Sequence, residues 1–490
     1  MIKNILFVLA LIQVTVGVSQ ENVFLNRDFW KAKPTVALVD EKIKEGNDPA
    51  QANGNNFDGV VMAILADAPY ETITHLISQK GNDVNKLTHD GRTYVFWAAY
   101  NGNAELMQFL IDRGARMDMT DDHGLTPLNF AAGRGQMNTK VYDICLANGA
   151  NLQKDVNNNG ANALLLAAPN DQDFKLMTYF KSKGLDVNSV DREGNGVFNY
   201  VARTGNLELL NQLLEKGIKG NDQAFLFAAA GARGSANGVE VYKFLEDKGL
   251  NPNVTNDEGQ TPLHIVATRS KDKEVINYLL EKGLSVNQED HNGNTPFMNA
   301  CQRNDLEVVQ LLGEDVKQIN HANKKGETAF YLAIAGNKSN VVGYLINKGA
   351  EIGVTTAEGN NLVFALLESY NARNKEAFES KLKLLSEKGL DLEQEQGNGD
   401  TWYHLAVKKG SKELLDMAAK MNLDINAKNK EGNTALHLAA MKAKDDQIMK
   451  WLLNHGANKK ITTEFEETAH DLAQENELLE KNQVSIEFLK

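Results

Sequence analysis

Cysteine is scarce in this chain, which has only Cys145 and Cys301 among its 490 residues. A disulfide needs Cα atoms within about 7 Å of each other. The two positions lie about five copies apart in the repeat described below, and stacked helical units rise on the order of 10 Å each. We therefore expect no bridge between them and a fold stabilised by packing.

Positive charge and long apolar segments are also lacking. The chain has 65 acidic against 52 basic residues, which gives a net charge of −13. Proteins that bind nucleic acids present a basic surface, so this composition argues against nucleic-acid binding. After residue 19 no apolar segment approaches the roughly 20 residues that a membrane-spanning helix needs. We therefore expect no membrane span in the mature protein.

The short motifs that mark common catalytic and metal sites are missing. The sequence lacks the His-x-x-x-His and Cys-x-x-Cys spacings of zinc sites, the Gly-x-Ser-x-Gly turn of hydrolases and the Gly-x-x-x-x-Gly-Lys-Ser/Thr phosphate loop. The run from Asn157 to Gly160 lacks the aspartates and the distal glutamate of a calcium loop. We therefore predict that the chain is not an enzyme and holds no metal and no cofactor.

The first 19 residues differ in kind from the rest. Lys3 precedes a mostly apolar stretch from Ile5 to Val18, and the small residues Gly17 and Ser19 come just before Gln20. This is the layout of a secretory signal peptide. A membrane anchor is the alternative, but 14 apolar residues fall short of the roughly 20 that a spanning helix needs. We expect residues 1–19 to be cleaved and the protein to be periplasmic or secreted.

A short phrase recurs along the remainder of the chain. Its clearest copies run from Gly259 to His264 and from Gly432 to His437, as Gly-Gln-Thr-Pro-Leu-His and Gly-Asn-Thr-Ala-Leu-His. Several copies are spaced by 33 residues. A fixed period of this size indicates a solenoid built from one supersecondary unit. Variant copies begin at Gly91, Gly124, Gly160, Gly194, Gly293, Gly326, Gly359 and Gly399.

The unit that begins at Gly259 shows the local structure that each copy encodes. Thr261 can cap a helix, and Pro262 follows where a missing N–H costs nothing. Apolar residues then predict a short first helix, and Glu274 to Lys282 has the spacing of a second one. Gly283 suits the end of that helix. The polar residues up to the next glycine predict an extended loop.

This pattern resembles the ankyrin repeat, over about residues 57–475. In that family the phrase Gly-x-Thr-Pro-Leu-His-x-Ala-Ala precedes a second helix that ends in Leu-Leu-x-x-Gly-Ala-Asp-Val-Asn. Segments that match the second part are Lys80–Asn85, Arg113–Ala115, Asn148–Asn151, Lys183–Asn188, Lys348–Ala350 and His455–Asn458.

The resemblance implies an all-α ankyrin-repeat solenoid of about 12 helix-turn-helix units joined by β-hairpin loops. We divide the chain into the signal peptide, a degenerate capping repeat at 20–56, the array at 57–461, and a capping half-repeat with a tail at 462–490. Worn and polar terminal units are typical of such stacks, because they cover the open ends.

Some units depart from the period. The 65 residues from Gly194 to Gly259 predict two units with the hairpin lost near 217–222. Extra residues occur near 136–139 and 370–379. Insertions of this kind fall on one face of a repeat array, often the binding face. Neutral drift in a tolerant loop is the alternative, and the sequence does not decide between them.

The resemblance also implies roles for individual residues. His264, His404 and His437 share the position that in the family bonds neighbouring backbone and holds the loop, so we assign them a structural role. Family members bind partners on a concave face formed by the hairpin tips and the exposed ends of the first helices. Most of the residues that end those helices here are basic, which is conspicuous in an acidic chain: Tyr100, Arg134, Arg203, Arg269, Arg303, Lys408, Lys409 and Lys442.

These residues give the functional hypotheses. We predict that they recruit an acidic protein or peptide, although the same basic residues can merely solvate the helix ends. The hairpin positions His123, His291 and Asn294 are the complementary candidates. We expect a monomeric, non-enzymatic protein that binds another protein, with capture of a small ligand or peptide in the same groove as the alternative. Catalysis by the terminal regions is a third hypothesis, and those regions are short for a catalytic domain.

Overall fold

The computed structural model describes residues 22–232 and 236–490. The predicted signal peptide at 1–19 lies outside these residues. The described chain divides into two compact units. The first contains the residues up to Val201 together with Glu208–Gly220, and the second contains Ala202–Leu207 and Asn221–Lys490.

The helices before the division between the two units are short, and the first and second helices of successive pairs alternate along the chain. Their bounds are α1 Arg27–Lys31, α2 Val36–Lys44, α3 Gly59–Leu65, α4 Tyr70–Ile77, α5 Tyr94–Tyr100, α6 Ala104–Ile111, α7 Pro127–Gly133, α8 Thr139–Ala147, α9 Ala163–Ala167, α10 Lys175–Ser182, α11 Val197–Ala202 and α12 Leu207–Glu215.

The helices of the second unit continue this alternation to the end of the chain. Their bounds are α13 Ala224–Ala230, α14 Val239–Asp247, α15 Pro262–Arg269, α16 Lys273–Glu281, α17 Pro296–Arg303, α18 Leu306–Leu312, α19 Ala329–Gly336, α20 Ser339–Asn347, α21 Leu362–Glu368, α22 Lys375–Glu387, α23 Trp402–Lys408, α24 Lys412–Lys420, α25 Ala435–Lys442, α26 Gln447–Asn454, α27 Ala469–Gln474 and α28 Glu477–Lys481.

These helices form pairs, and α3 to α26 make twelve of them. Odd-numbered helices are the first helices of the pairs, and within each unit neighbouring first helices pack on one another, as α5 does on α7 and α15 on α17. Their apolar residues, such as Leu263 and Val266, are fully buried. The fold prediction of an all-α ankyrin solenoid with about 12 units is therefore confirmed.

The local sequence determines where each pair begins and ends. The Thr261 hydroxyl accepts a hydrogen bond from the His264 N–H, and Pro262 begins the helix. Capping of this kind satisfies an amide that would otherwise lack a partner. At the other end of the pair, Gly283 has φ of 90°. This left-handed conformation favours glycine, because a side chain there would be strained.

The predicted hairpin loops are tight turns rather than paired strands. In the described residues the bridges are isolated, such as Ala322 with Thr328. The turns of neighbouring pairs bond to each other: the N–H of His291 donates to the Glu258 carbonyl at 2.8 Å, and that of Lys324 to the Asn292 carbonyl at 2.9 Å. The turns are thus linked along each unit by main-chain hydrogen bonds.

The two insertions lie at the other end of the first helix. Gln136 and Asn138 lie between α7 and α8, and their amides donate to the carbonyls of Tyr100 at 2.8 Å and Gly102 at 2.9 Å. The second insertion forms a 3₁₀ turn at Ala372–Asn374 and lengthens α22 to 13 residues, against nine in α20. The first insertion therefore lies in the turn between two helices of a pair, and the second contributes to both the turn and the helix that follows it.

The long helix α22 contains a buried lysine. Lys381 is 3% exposed, and its ammonium donates to the Ile334 carbonyl at 2.7 Å. Burial lowers the pKa of Lys381 to about 8, because a low dielectric disfavours the charged form.

The terminal regions bury apolar side chains against their neighbours. Phe24 and Trp30 are fully buried before α2, and Leu479 and Leu489 are buried near the C-terminus. The predicted boundaries of the capping repeats stay predictions. No helix in the described part of the chain combines the length and the apolar character that a membrane crossing requires.

Candidate functional site

The predicted basic residues lie where a first helix ends and the chain turns toward the second helix. The predicted hairpin residues lie before the start of the first helix. A first helix of eight residues is about 12 Å long at 1.5 Å per residue. The structure therefore places the two predicted sets at opposite ends of the first helices.

In the first unit, this end of the pair carries aromatic side chains. Tyr100 is 37% exposed and stacks on Phe130, with ring centroids 5.7 Å apart. The exposed Arg134 lies over the Phe130 ring at 5.5 Å, and the buried Arg92 lies over it at 4.2 Å. An exposed tyrosine that is held rigid by a neighbouring ring resembles the aromatic anchors of protein interfaces.

In the second unit, the predicted cations differ in their surroundings. The Arg269 guanidinium donates to the Ala230 carbonyl at 3.4 Å. Arg203, Arg303 and Lys442 are exposed. Lys408 and Lys409 form ion pairs.

Carboxylates hold those two lysines. Lys408 bonds Asp400, whose side chain is buried, and Lys409 bonds Glu368 at 3.0 Å. Burial acts to raise the pKa of Asp400, but hydrogen bonds from Lys408, Asn429 and Asn398 outweigh it, so the pKa lies below its usual value. The carboxylate is therefore charged at neutral pH and fixes the lysine.

The side chains of the predicted hairpin residues differ in their exposure and in their contacts within the fold. His123 is exposed and lies 3.5 Å from Asp90, and His291 is exposed. Asn294 is partly buried, and its amide oxygen accepts a hydrogen bond from Asn323 at 2.8 Å. His123 and His291 remain open to a partner, whereas the Asn294 side chain already has one within the fold.

The three histidines of the first helices link neighbouring pairs, as the family resemblance implies. Nδ1 of His264 accepts from the Thr261 N–H at 3.1 Å, and Nε2 lies 3.2 Å from the Asn294 carbonyl. An N–H can only donate and a carbonyl can only accept, so the imidazole is neutral with its proton on Nε2. His404 makes the same contacts with the Thr401 N–H and the Asn433 carbonyl, and His437 contacts the Thr434 N–H and the Ile461 carbonyl. Burial lowers the pKa of all three.

A second set of links lies where the helices turn. The amide of Asn304 donates to the carbonyls of Ala267 and Ser270, each at 2.8 Å. Asn337 bonds the carbonyls of Cys301 and Asn304 in the same way, at 2.9 and 2.7 Å. These asparagines satisfy carbonyls at the end of the preceding first helix, which would otherwise lack partners.

Beside these links lies a cavity of about 360 Å³, which we call the polar cavity. Its charges are mixed, since Lys271 pairs with Asp305 at 3.2 Å. Its lining consists of Lys271, Arg303, Asn304, Asp305, Leu306, Glu307, Asn337, Lys338 and Asn340.

A cavity of about 470 Å³ lies at the corresponding turns of α23–α26, and we call it the lysine pocket. It contains three predicted residues, Lys408, Lys409 and Lys442, together with Lys412 and Lys444, which the sequence reasoning missed. The sequence contained one signal for this pocket. Ala443 directly follows α25, whereas Asn304 and Asn337 directly follow α17 and α19. Its remaining lining is Val407, Gly410, Ala439, Ala443, Asp445, Gln447 and Ile448.

The described residues contain no group of three or more histidine, cysteine or acidic side chains placed to hold a metal ion. Cys145 and Cys301 are buried free thiols, and burial raises the pKa of Cys145 to about 12.

Curated relatives match parts of the chain. Palmitoyltransferase AKR1 of Lachancea kluyveri is 27% identical, and the match covers 31% of this chain and 23% of that protein. Ankyrin repeat protein nuc-2 of Neurospora crassa is 26% identical, over 31% of this chain and 14% of that protein. The human transient receptor potential cation channel subfamily A member 1 is 28% identical, over 37% of this chain and 17% of that protein. The chain thus spans less than a quarter of the length of these relatives.

A solved structure, the human ASB11 ankyrin repeat domain, covers 46% of this chain and 97% of its own with a TM-score of 0.38 and 18% identity. The family model described as "Ankyrin repeats (3 copies)" matches residues 61–154, 225–320, 269–356 and 370–463. Ankyrin repeats are generally modules for protein–protein interaction rather than for catalysis. These matched ranges cover more than half of the chain, which therefore belongs to the ankyrin repeat family.

Proposed function

We propose that this chain is an exported, non-enzymatic protein that binds an acidic partner protein through the basic ends of its first helices, on the concave face predicted from the sequence. The observation that carries this proposal is the placement of Arg269, Arg303 and Lys442 at equivalent helix ends, all exposed. The acidic composition of the rest of the chain makes this row distinctive.

The frame behind these cations is rigid. The first helix α15, for example, is joined to its neighbours by the His264 bond at one end and by the Asn304 bonds at the other. A preformed surface loses little conformational entropy when it binds. Exposed charges of one sign accelerate association with an oppositely charged partner, and this effect weakens as salt concentration rises.

The test is capture of the partner by charge-reversal variants. Arg269→Glu combined with Arg303→Glu should weaken capture from an extract of the producing organism at least tenfold, because a row of like charges would then face the acidic partner. Lys348→Glu with Lys383→Glu is the matched control, since both lysines are exposed and lie outside the row. Equal capture by both double variants would refute the proposed surface.

Export is tested separately. When the full chain is expressed in a bacterium, the mature protein should begin at Gln20, as determined by mass spectrometry of the periplasmic and culture fractions. Retention of residues 1–19 on an intracellular product would contradict export. Light scattering of the purified chain should give the mass of a monomer.

The alternative function is capture of a small ligand or peptide. A cavity of about 300 Å³ favours it, because it joins the apolar side chains of Phe297, Met298 and Ile319 with the polar groups of Glu289 and His321. Ligand sites usually combine an apolar lining with a few polar groups. Calorimetric titration with a panel of metabolites would reveal such binding, and heat that Phe297→Ala abolishes would support the alternative.

A further inference from the structure

The lysine pocket and the polar cavity differ in the residue that follows the first helix. In the polar cavity, Asn304 and Asn337 reach back to the preceding helix end. Ala443 occupies the same position after α25, with extended backbone angles like theirs. Its methyl group cannot donate a hydrogen bond or fill the same space. The cavity beside Ala443 is the larger of the two, and the preceding helix α23 ends in a glycine turn at Gly410 that α15 lacks.

The rim of the lysine pocket is strongly cationic. It carries five lysines against one carboxylate, Asp445. Asp400 and Glu368 hold Lys408 and Lys409 in place. Lys412, Lys442 and Lys444 are exposed.

The floor of the lysine pocket is apolar. Val407 and Ala439 are almost fully buried around it, and Ala443 and Ile448 add partly exposed methyl groups. A hydrated inorganic anion gains nothing from such a floor, whereas an apolar side chain is stabilised by leaving water. No arginine lines this pocket to bind a phosphate with two parallel hydrogen bonds.

From this combination we propose that the lysine pocket binds an acidic peptide segment of the partner protein, in which one large apolar side chain is flanked by carboxylates. The apolar side chain enters the cavity and rests on Val407, Ala439 and Ile448. The flanking carboxylates pair with Lys412, Lys442 and Lys444. This inference rests on the proposed function and specifies the partner's chemistry.

The chain itself contains an exposed segment of this chemistry. Phe465 is 82% exposed at the tip of the last hairpin, between Glu464 and Glu466. A second copy is therefore a competing occupant, and the experiment must distinguish it from a separate partner.

The experiment measures fluorescence polarisation of a labelled Glu-Glu-Phe-Glu-Glu peptide with the full chain. We expect Lys442→Glu with Lys444→Glu to weaken binding at least tenfold. The matched control is Lys348→Glu with Lys383→Glu, which makes the same charge change at exposed positions outside the lysine pocket and should leave the affinity within twofold. A Glu-Glu-Ser-Glu-Glu peptide should bind at least tenfold more weakly, because it lacks the apolar side chain.

Three results would overturn the proposal. Equal binding of the serine peptide would show attraction by charge alone. Displacement of the peptide by inorganic phosphate at matched ionic strength, beyond that by chloride, would show an anion site. A concentration-dependent dimer that Phe465→Ser abolishes would assign the pocket to a second copy.

The partner-capture experiment separates this inference from the proposed function. Loss of capture in the Arg269 and Arg303 variant, with no peptide binding by the unmodified chain, would leave the proposed function in place and remove the peptide assignment. Peptide binding by the unmodified chain, without capture of a partner protein, would leave the peptide assignment in place and remove the proposed function.

Discussion

Two runs of helices in the second unit both contain threonine-capped first helices with a bonded histidine but differ at their turns. In α15–α20 the asparagines after α17 and α19 each bond two carbonyls of the preceding helix end. In α21–α26 an insertion lengthens α22, and Ala443 replaces the bonding asparagine after α25. The turns of the regular run are bridged by asparagine hydrogen bonds beside the mixed-charge polar cavity, whereas the second run has the larger lysine pocket. The side chain that follows a first helix is therefore one of the features that distinguish the two cavities.

The largest effect should follow from breaking the regular run. Asn304→Ala removes two buried hydrogen bonds and leaves carbonyls without partners, at a cost of about 2–4 kcal/mol of unfolding free energy. Urea denaturation followed by the fluorescence of Trp402 and Trp451, which lie in the second unit, would measure it. Asn347→Ala is the control, because Asn347 is exposed, and we expect a change within about 0.5 kcal/mol. Similar losses from both variants would contradict the importance of the asparagine bonds.

The second largest effect is a pH dependence of stability, which comes from Lys381 in the helix that the insertion lengthens. The pKa of Lys381 is about 8 in the folded chain and about 10.4 in an unfolded one. Between these values the unfolded state binds more protons, so stability rises with pH. At about 1.4 kcal/mol per pKa unit, this lysine contributes a rise of up to ~3 kcal/mol from pH 7.5 to 10.5.

Lys381→Met should remove that rise. The free energy of unfolding, measured by urea denaturation across this range, gives the slope of each protein, and subtraction of the two slopes cancels the tyrosines that titrate at high pH. Lys383→Met is the control, because the Lys383 side chain is 79% exposed. An unchanged slope in the Lys381 variant would mean that the ammonium is hydrated in solution.

The smallest effect should come from restoring the missing asparagine. Ala443→Asn places an amide donor near the carbonyls at the end of α23 and should stabilise the chain by about 1 kcal/mol. The same side chain would fill part of the lysine pocket and weaken binding of the acidic peptide about fivefold. Ala443→Ser is the control, because its side chain is too short to bond two carbonyls. A variant with unchanged stability and unchanged peptide affinity would refute the equivalence of these positions.

Much of the fold follows from local patterns in the sequence. Thr261, Pro262 and Gly283 act within a few residues of themselves, so their roles can be read from spacing alone. The role of His264 requires knowledge of the neighbouring pair, which the fixed period supplies. For these residues the sequence predictions agree with the structure.

The candidate site was less predictable, because it depends on residues that are distant along the chain. Lys409 pairs with Glu368, 41 residues earlier, and no local pattern indicates this. Lys412 and Lys444 join Lys442 only because two turns approach each other. The insertion before α22 shifts the period there, so equivalent positions are difficult to align by counting. Such sites become visible when the turns are compared in three dimensions.

The main-chain bonds between hairpin tips have an evolutionary consequence. In most of these bonds, the donor lies two residues before the tip glycine and the acceptor lies one residue before the glycine of the preceding unit, as in His291 with Glu258 and Lys430 with Asn398. The Gly397 N–H is an exception, because it donates to the Gly359 carbonyl. Duplication or loss of a gene segment encoding one 33-residue period would therefore bring a matched donor and acceptor together at the new junction. The array can therefore gain or lose whole periods while the N–H groups at its hairpin tips keep their acceptors. Gain or loss of part of a period would leave such N–H groups without acceptors.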